Sequence, residues 1–168
     1  MNIVLSTLNA KYIHTSLALR SIRAYCKEFK ENIKILEFTI NHQENYILNE
    51  IFKAKPDILG FSCYIWNIEQ TMDLVKSLKK VLPSATIILG GPEVSYDGEA
   101  LLKEHQEIDL IVLGEGEATF YDILKSFRDK KGDLADVEGI IYRINGKIIK
   151  TGERKLLDLN EIAFPYED

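Results

Sequence analysis

Short apolar runs alternate along the chain with stretches in which apolar positions recur every three or four residues, the respective signatures of strands and of amphipathic helices. Residues 2–6 (NIVLS) read as a first strand. Leu19, Ile22, Cys26 and Phe29 then fall at helical spacing over residues 17–29, with Thr15 or Ser16 placed to cap the helix start. Residues 33–40 (IKILEFTI) predict a second strand, and residues 46–54 a helix that stops before Lys55-Pro56, because proline pushes its predecessor out of the helical region. Residues 57–63 (DILGFSC) are nearly all apolar, as a central parallel strand covered on both faces should be. Asn67 opens a further helix with Gln70 three residues on, a capping-box-like pair, and Ile68, Met72, Val75, Leu78 and Leu82 line its apolar side up to Pro83. Residues 86–89 and 109–113 predict two more strands, with a short helix at residues 100–104 between them. Phe120, Ile123, Leu124 and Phe127 mark a last helix.

A strand–helix alternation repeated in this way predicts an α/β fold: a flavodoxin-like (Rossmann-like), doubly wound, five-stranded parallel sheet of order 2-1-3-4-5. After Lys130-Lys131-Gly132 the pattern changes. Residues 140–144 and 147–149 flank Asn145-Gly146, a β-hairpin signal, while residues 156–168 show no regular pattern. The expected organisation is an α/β domain over residues 1–135, a hairpin extension over 136–150 and a linker over 151–168.

Composition narrows the class. The 168 residues suit one domain, and 46% hydrophobic with 28% charged residues is the balance of a globular chain. With 21 basic against 26 acidic residues the net charge is −5, so no nucleic-acid partner is expected. No run approaches the roughly 18 apolar residues of a membrane span, and the start turns polar too soon for a signal peptide. Cys26 and Cys63 are too few for a thiolate cluster, a zinc site or a disulfide framework, and fit a reducing cytoplasm.

Ligands of open α/β sheets bind beyond the carboxyl ends of the strands, where the strand order switches, here between strands one and three. Four loops matter: residues 7–16, 64–66, 90–98 and 114–117. The first (TLNAKYIHTS) has no glycine, which excludes a P-loop and a dinucleotide fingerprint. It also lacks the acidic pair of a phosphoryl receiver and the phosphate loop of a flavodoxin. Ser62 places a small hydroxyl at a strand end, with Tyr64 and Trp66 following. Gly90-Gly91-Pro92-Glu93 lets a ligand approach the backbone closely. Gly114-Glu115-Gly116-Glu117 closes the fifth strand, where carboxylates also suit a helix N-terminus.

Together, NAKYIHTSLALRSI, ILGGPEVS and DLIVLGEGE resemble the cobalamin-binding domain at the N-terminus of cobalamin-dependent radical SAM enzymes, over roughly residues 1–149. The superfamily's Ser-x-Leu and Gly-Gly motifs correspond to Ser62-Cys63-Tyr64 and Gly90-Gly91. The resemblance implies base-off cobalamin. Its dimethylbenzimidazole tail would thread into the sheet between strands one and three, past Ser62, Gly90 and Gly91, and its corrin would lie across the sheet edge. Asn9, Tyr12, His14, Tyr64 and Trp66 complete the implied cofactor-binding set on one side, with Pro92, Glu93, Gly114, Glu115 and Gly116 on the other.

Methionine-synthase-type domains carry Asp-x-His-x-x-Gly after strand one. Here Tyr12-Ile13-His14-Thr15-Ser16-Leu17 keeps the His in register and lacks the Asp and the Gly. His14 is therefore the candidate cobalt ligand. The missing carboxylate, which would fix its tautomer, favours a His-off mode that leaves water, Tyr12, His14 or nothing at the lower face of cobalt. No CxxxCxxC occurs, so S-adenosylmethionine and a four-iron four-sulfur cluster would belong to an absent C-terminal radical SAM domain entered through IAFPYED. The expected function is cobalamin binding within a radical SAM enzyme of methyltransferase type, some relatives performing ring closures instead, with no turnover from these residues alone. The alternatives are a flavodoxin-like module for another small ligand or an interaction platform, and a small enzyme using His14 with Glu93 or Glu115 as acid and base.

Overall fold

The computed structural model describes residues 1–129 and 133–166; Lys130, Lys131 and Gly132, where the sequence pattern changes, and Glu167 and Asp168 at the end of the expected linker lie outside the described residues. Five parallel strands, β1 (Ile3–Asn9), β2 (Ile33–Thr39), β3 (Ile58–Ser62), β4 (Thr86–Gly90) and β5 (Leu110–Val112), continue into an antiparallel hairpin, β6 (Ile140–Ile144) and β7 (Lys147–Lys150). One seven-stranded sheet results, in the order β2-β1-β3-β4-β5-β6-β7. The parallel part follows 2-1-3-4-5. The expected count of five is corrected to seven, because β6 pairs directly with β5 through Leu110↔Tyr142 and Val112↔Ile140. Otherwise β5 would be an edge with unpaired backbone, and the buried Ile140, Ile141 and Tyr142 cover it.

The helices are α1 (Leu17–Tyr25), α2 (Glu44–Ala54), α3 (Ile68–Val81), α4 (Pro92–Ser95), α5 (Gly98–Glu104) and α6 (Glu117–Arg128). Successive strand residues point to opposite faces, so the sheet separates two cores. Val4, Leu59, Phe61, Ile87, Leu89 and Ile111 pack with α2, α3 and α5. Ile3, Leu5, Ile58, Ile88, Leu110 and Val112 pack with α1 and α6. Burying each such side chain contributes about 1.5–3 kcal/mol.

Several boundaries differ from the sequence expectation, each for a local reason. β1 runs to Asn9 rather than Ser6, because its polar residues find partners inside the sheet: Ser6 Oγ donates to the Leu36 carbonyl at 2.8 Å and Thr7 Oγ1 to the Ser62 carbonyl at 3.1 Å. Ser16 caps α1, accepting from the Leu19 amide, while the Thr15 hydroxyl turns elsewhere. The helix expected to reach Phe29 ends at Tyr25 and gives way to a tighter 3₁₀ turn, Lys27–Asn32. The helix α4 was not expected; Pro92 starts it, at a position where a missing N–H costs nothing.

Beyond β7 the chain turns back along the α1/α6 face. Gly139 donates to the Gly152 carbonyl, Arg154 pairs with Asp122 of α6 at 2.5 Å, and the Arg20 guanidinium of α1 lies 6.0 Å from the Tyr166 ring centre. Among the described residues no helix is long and apolar enough to cross a membrane.

Candidate functional site

At the carboxyl ends of β3, β4 and β5 the α1/α6 face opens into a cavity of about 470 Å³. Strand alternation explains its position. Gly60 and Ser62 on β3, Ile88 and Gly90 on β4, and Val112 on β5 share this face, with Gly60 opposite Ile88 and Ser62 opposite Gly90. Where core strands elsewhere carry large side chains, Ser62 and Gly90 leave space between sheet and helices unfilled, while Leu5 and Phe120 close over Gly60, although protein interiors are otherwise close-packed. Leu5, Leu19, Ile22 and Phe120 complete apolar walls, and the exposed Tyr96 and Glu115 stand at the rim.

The strand ends are locked by short-range chemistry. The Cys63 amide donates to the Gly90 carbonyl at 2.7 Å, and Gly91 turns the chain away with φ +107°. Asn67 is 1% exposed and ties three elements together: its Oδ1 accepts from the Tyr64 amide at 2.8 Å, while its Nδ2 donates to the Leu8 and Ser62 carbonyls, each at 3.1 Å. This corrects the capping-box expectation, since the Asn67 side chain makes no bond to the first turn of α3. Ser62 has its carbonyl engaged by Thr7 and Asn67, whereas its Oγ lines the cavity and makes no hydrogen bond to the described residues. Burial pushes the Cys63 thiol up to about 12, so it is an inert core group facing the opposite side.

The loop between β1 and α1 is held by a residue that sequence reading passed over. Glu37 on β2 accepts from Asn9 Nδ2 at 2.9 Å, Thr15 Oγ1 at 3.0 Å and the Ser16 amide at 2.7 Å, with Arg20 at 3.3 Å. Asn9 Nδ2 also donates to the His14 carbonyl at 3.0 Å. Burial opposes the Glu37 charge, but the hydrogen bonds from Asn9, Ser16 and Thr15 and the Arg20 charge outweigh it and hold the carboxyl below its usual range. A lowered folded-state value contributes stability above the unfolded carboxyl value of about 4.3, and that stability disappears as pH falls through the folded value. The urea midpoint is therefore expected to fall more steeply on acidification in the wild type than in Glu37→Gln. Parallel pH profiles would refute this role.

Of the residues singled out from sequence, Ser62, Tyr64, Gly90, Gly91, Pro92, Gly114, Glu115 and Gly116 converge on the cavity. Asn9, Tyr12, His14, Trp66 and Glu93 do not line it. Asn9 braces the loop. Tyr12 is 86% exposed, and His14 is exposed with no carboxylate on its ring among the described residues. Trp66 stacks flat on Tyr64 (centres 4.6 Å apart, planes at 4°) and donates from Nε1 to the Leu8 carbonyl at 3.3 Å. Glu93 is exposed on α4. Glu115 accepts from the Leu157 amide at 2.8 Å, anchoring the chain that follows β7. β1 and β3 are hydrogen-bonded neighbours, with Ser6 opposite Phe61, and the cavity extends over β3–β5 with Leu5 of β1 in its wall. Gly60, within an apolar strand, was the available signal for it. Among the described residues no three His, Cys, Asp or Glu side chains gather as a metal site.

The profile of the B12 binding domain matches residues 3–124. A cobalamin-dependent radical SAM methyltransferase, TokK, from Streptomyces tokunonensis is 28% identical over 114 residues, covering 67% of this chain and 17% of that protein. An uncharacterized methyltransferase from Pyrococcus horikoshii is 30% identical over 119 residues, 70% of this chain and 26% of that protein. The structure of the cobalamin-dependent S-adenosylmethionine radical enzyme OxsB, with aqua-cobalamin and S-adenosylmethionine bound, superposes with a TM-score of 0.80 at 19% identity, over 96% of this chain and 23% of that one; it shows a shared fold. This chain thus spans about a quarter or less of each of these three proteins.

Proposed function

This chain belongs to the B12 binding domain family, and from that premise we propose that it holds cobalamin base-off, with the nucleotide tail in the cavity over β3–β5 and the corrin across the carboxyl edge of the sheet. The observation that carries this reading is the cavity itself: mostly apolar, within the usual ligand-site range of about 300–1,000 Å³, walled in part by glycine backbone and lined by Ser62 at the end of β3. A planar aromatic base on a long tail needs those features. The stacked Tyr64–Trp66 pair and the exposed Tyr12 offer an apolar platform beside the cavity for a flat macrocycle. Among the described residues no carboxylate bonds the His14 ring to fix its tautomer, which supports a His-off mode.

When bound, cobalamin supplies a cobalt that accepts and releases a methyl group; the protein's part is to bind and orient it. We further infer that residues 1–135 form the cofactor domain, that 136–150 extend its sheet, and that 151–168 lead toward a radical SAM domain bearing S-adenosylmethionine and a four-iron cluster. The whole protein would be a cytoplasmic methyltransferase, with no turnover from this part alone.

The test is direct. The chain is mixed with hydroxocobalamin and desalted, and retained corrin absorption is expected in the protein fraction; a colourless fraction refutes the reading. His14→Ala is expected to leave the bound spectrum unchanged, whereas a shift would assign His14 to cobalt.

A further inference from the structure

The chain after β7 is fastened at separate points rather than by burial. Thr151 continues the sheet, its amide donating to the Ile140 carbonyl at 3.0 Å. Arg154 then reaches Asp122, in the middle of α6, at 2.5 Å. The Leu157 amide donates to Glu115, just before α6, at 2.8 Å. Further on, the Tyr166 ring centre lies 6.0 Å from the Arg20 guanidinium of α1. Residues 151–166 therefore cross from α6 to α1. Little apolar surface is covered between these latches. Leu156 is 81% and Phe164 63% exposed, and among the described residues neither core takes a side chain from this segment. Segments held by few buried apolar contacts open locally at small free-energy cost.

The latched elements are walls of the cavity. Leu19 and Ile22 of α1 line it on one side, Gly116 and Phe120 on the other, with Glu115 at the rim. The two walls meet closely: a Cβ at Gly116 would stand 3.0 Å from Ile22 Cδ1. Arg20 has a second commitment. Its Nε donates to Thr15 Oγ1 at 2.7 Å and its guanidinium pairs with Glu37 at 3.3 Å. The same side chain thus touches the brace of the β1–α1 loop and the far end of the segment.

We propose that residues 151–166 act as a strap on the cavity. Docked, they hold α1 and α6 at the spacing a ligand needs, so that strap docking and cofactor binding favour each other; this rests on the cavity being the cofactor's seat. A site whose walls are already in place avoids the cost of ordering them on binding. A ligand that binds the docked form better shifts the chain toward that form. Linkage makes the effect reciprocal: the factor by which docking tightens the cofactor equals the factor by which the cofactor favours docking. Arg154 and Asp122 are positioning residues in this scheme, since neither lines the cavity.

The experiment uses the 168-residue chain, with amide hydrogen exchange followed by NMR and hydroxocobalamin affinity read by absorbance titration. Saturating hydroxocobalamin is expected to slow exchange of the Leu157 amide by about tenfold. Arg154→Glu sets two carboxylates against each other; it should speed that exchange and weaken hydroxocobalamin by about tenfold. Adding Asp122→Arg restores opposite charges and should recover most of both effects. A Leu157 amide that exchanges equally fast with and without bound hydroxocobalamin overturns the strap while the cofactor reading stands. That comparison is made on the wild type, so it holds whatever Arg154→Glu does to folding. Wild-type affinity in an Arg154→Glu chain whose Leu157 amide exchanges faster also overturns the strap. A wild-type chain that binds no hydroxocobalamin overturns the functional reading and the coupling together.

Discussion

Gly91→Ala is expected to cost the domain roughly 3 kcal/mol or more, a large share of the 5–15 kcal/mol typical of a folded domain. Two independent penalties coincide there. The backbone has φ +107° and ψ 174°, a region that side-chain-bearing residues essentially do not occupy. A Cβ would also stand 2.5 Å from the Cys63 carbonyl oxygen and 3.0 Å from its nitrogen. These are backbone atoms, and the Cys63 amide is bonded to Gly90, so they cannot swing aside as a flexible side chain would. Gly114→Ala is the internal control. Gly114 has φ +67°, and among the described residues no atom beyond its own chain neighbours lies within 4 Å of the point where a methyl group would stand, so it should lose only about 1 kcal/mol. Urea unfolding followed by circular dichroism checks the pair. A Gly91→Ala midpoint no lower than that of Gly114→Ala would show that the β3–β4 junction yields more easily than its geometry implies.

Gly90→Leu, one residue earlier, is expected to do the opposite: cofactor binding falls by at least about a hundredfold while stability changes little. Gly90 has no positive φ, and a Cβ placed there would meet nothing closer than Val112 Cβ at 3.7 Å, an ordinary contact. The longer side chain then occupies the cavity that Ser62, Gly90 and Val112 share. Filling an apolar void with an apolar group restores packing and removes the room for the tail. Corrin retained after desalting, set beside the urea midpoint, reads both effects. Undiminished binding by a folded Gly90→Leu would place the cofactor elsewhere.

The two substitutions also mark how far the sequence could be read. Gly90 and Gly91 stood out as one motif after a buried strand, and the reason offered, close approach of a ligand to backbone, suits Gly90. It does not describe Gly91, whose conformation is set by the Cys63 backbone across the strand junction. Similarly, Asn67 was visible as a helix opener, but its amide joins the ends of β1 and β3 to the Tyr64 turn. Capping is a local pattern, and this junction depends on residues about sixty positions apart in the chain. Glu37 carried no signal of its own within the second strand; its partners come from a loop that only β1–β2 pairing brings alongside.

What the sequence determined by itself is the alternation of strands and helices and the edge of the sheet where small residues and loops collect, while the parallel order 2-1-3-4-5 is the one expected for an α/β domain of this size. Those follow from periodicity, turn chemistry and the handedness of crossover connections, all of which act over short stretches. The tertiary structure decided which face carries the cavity, that β6 and β7 close the β5 edge, and that Glu37 and Glu115 hold the flanking segments in place. Each of these depends on side chains far apart in the chain meeting at one depth, and on volume left unfilled between sheet and helices, quantities that do not exist until the chain has packed.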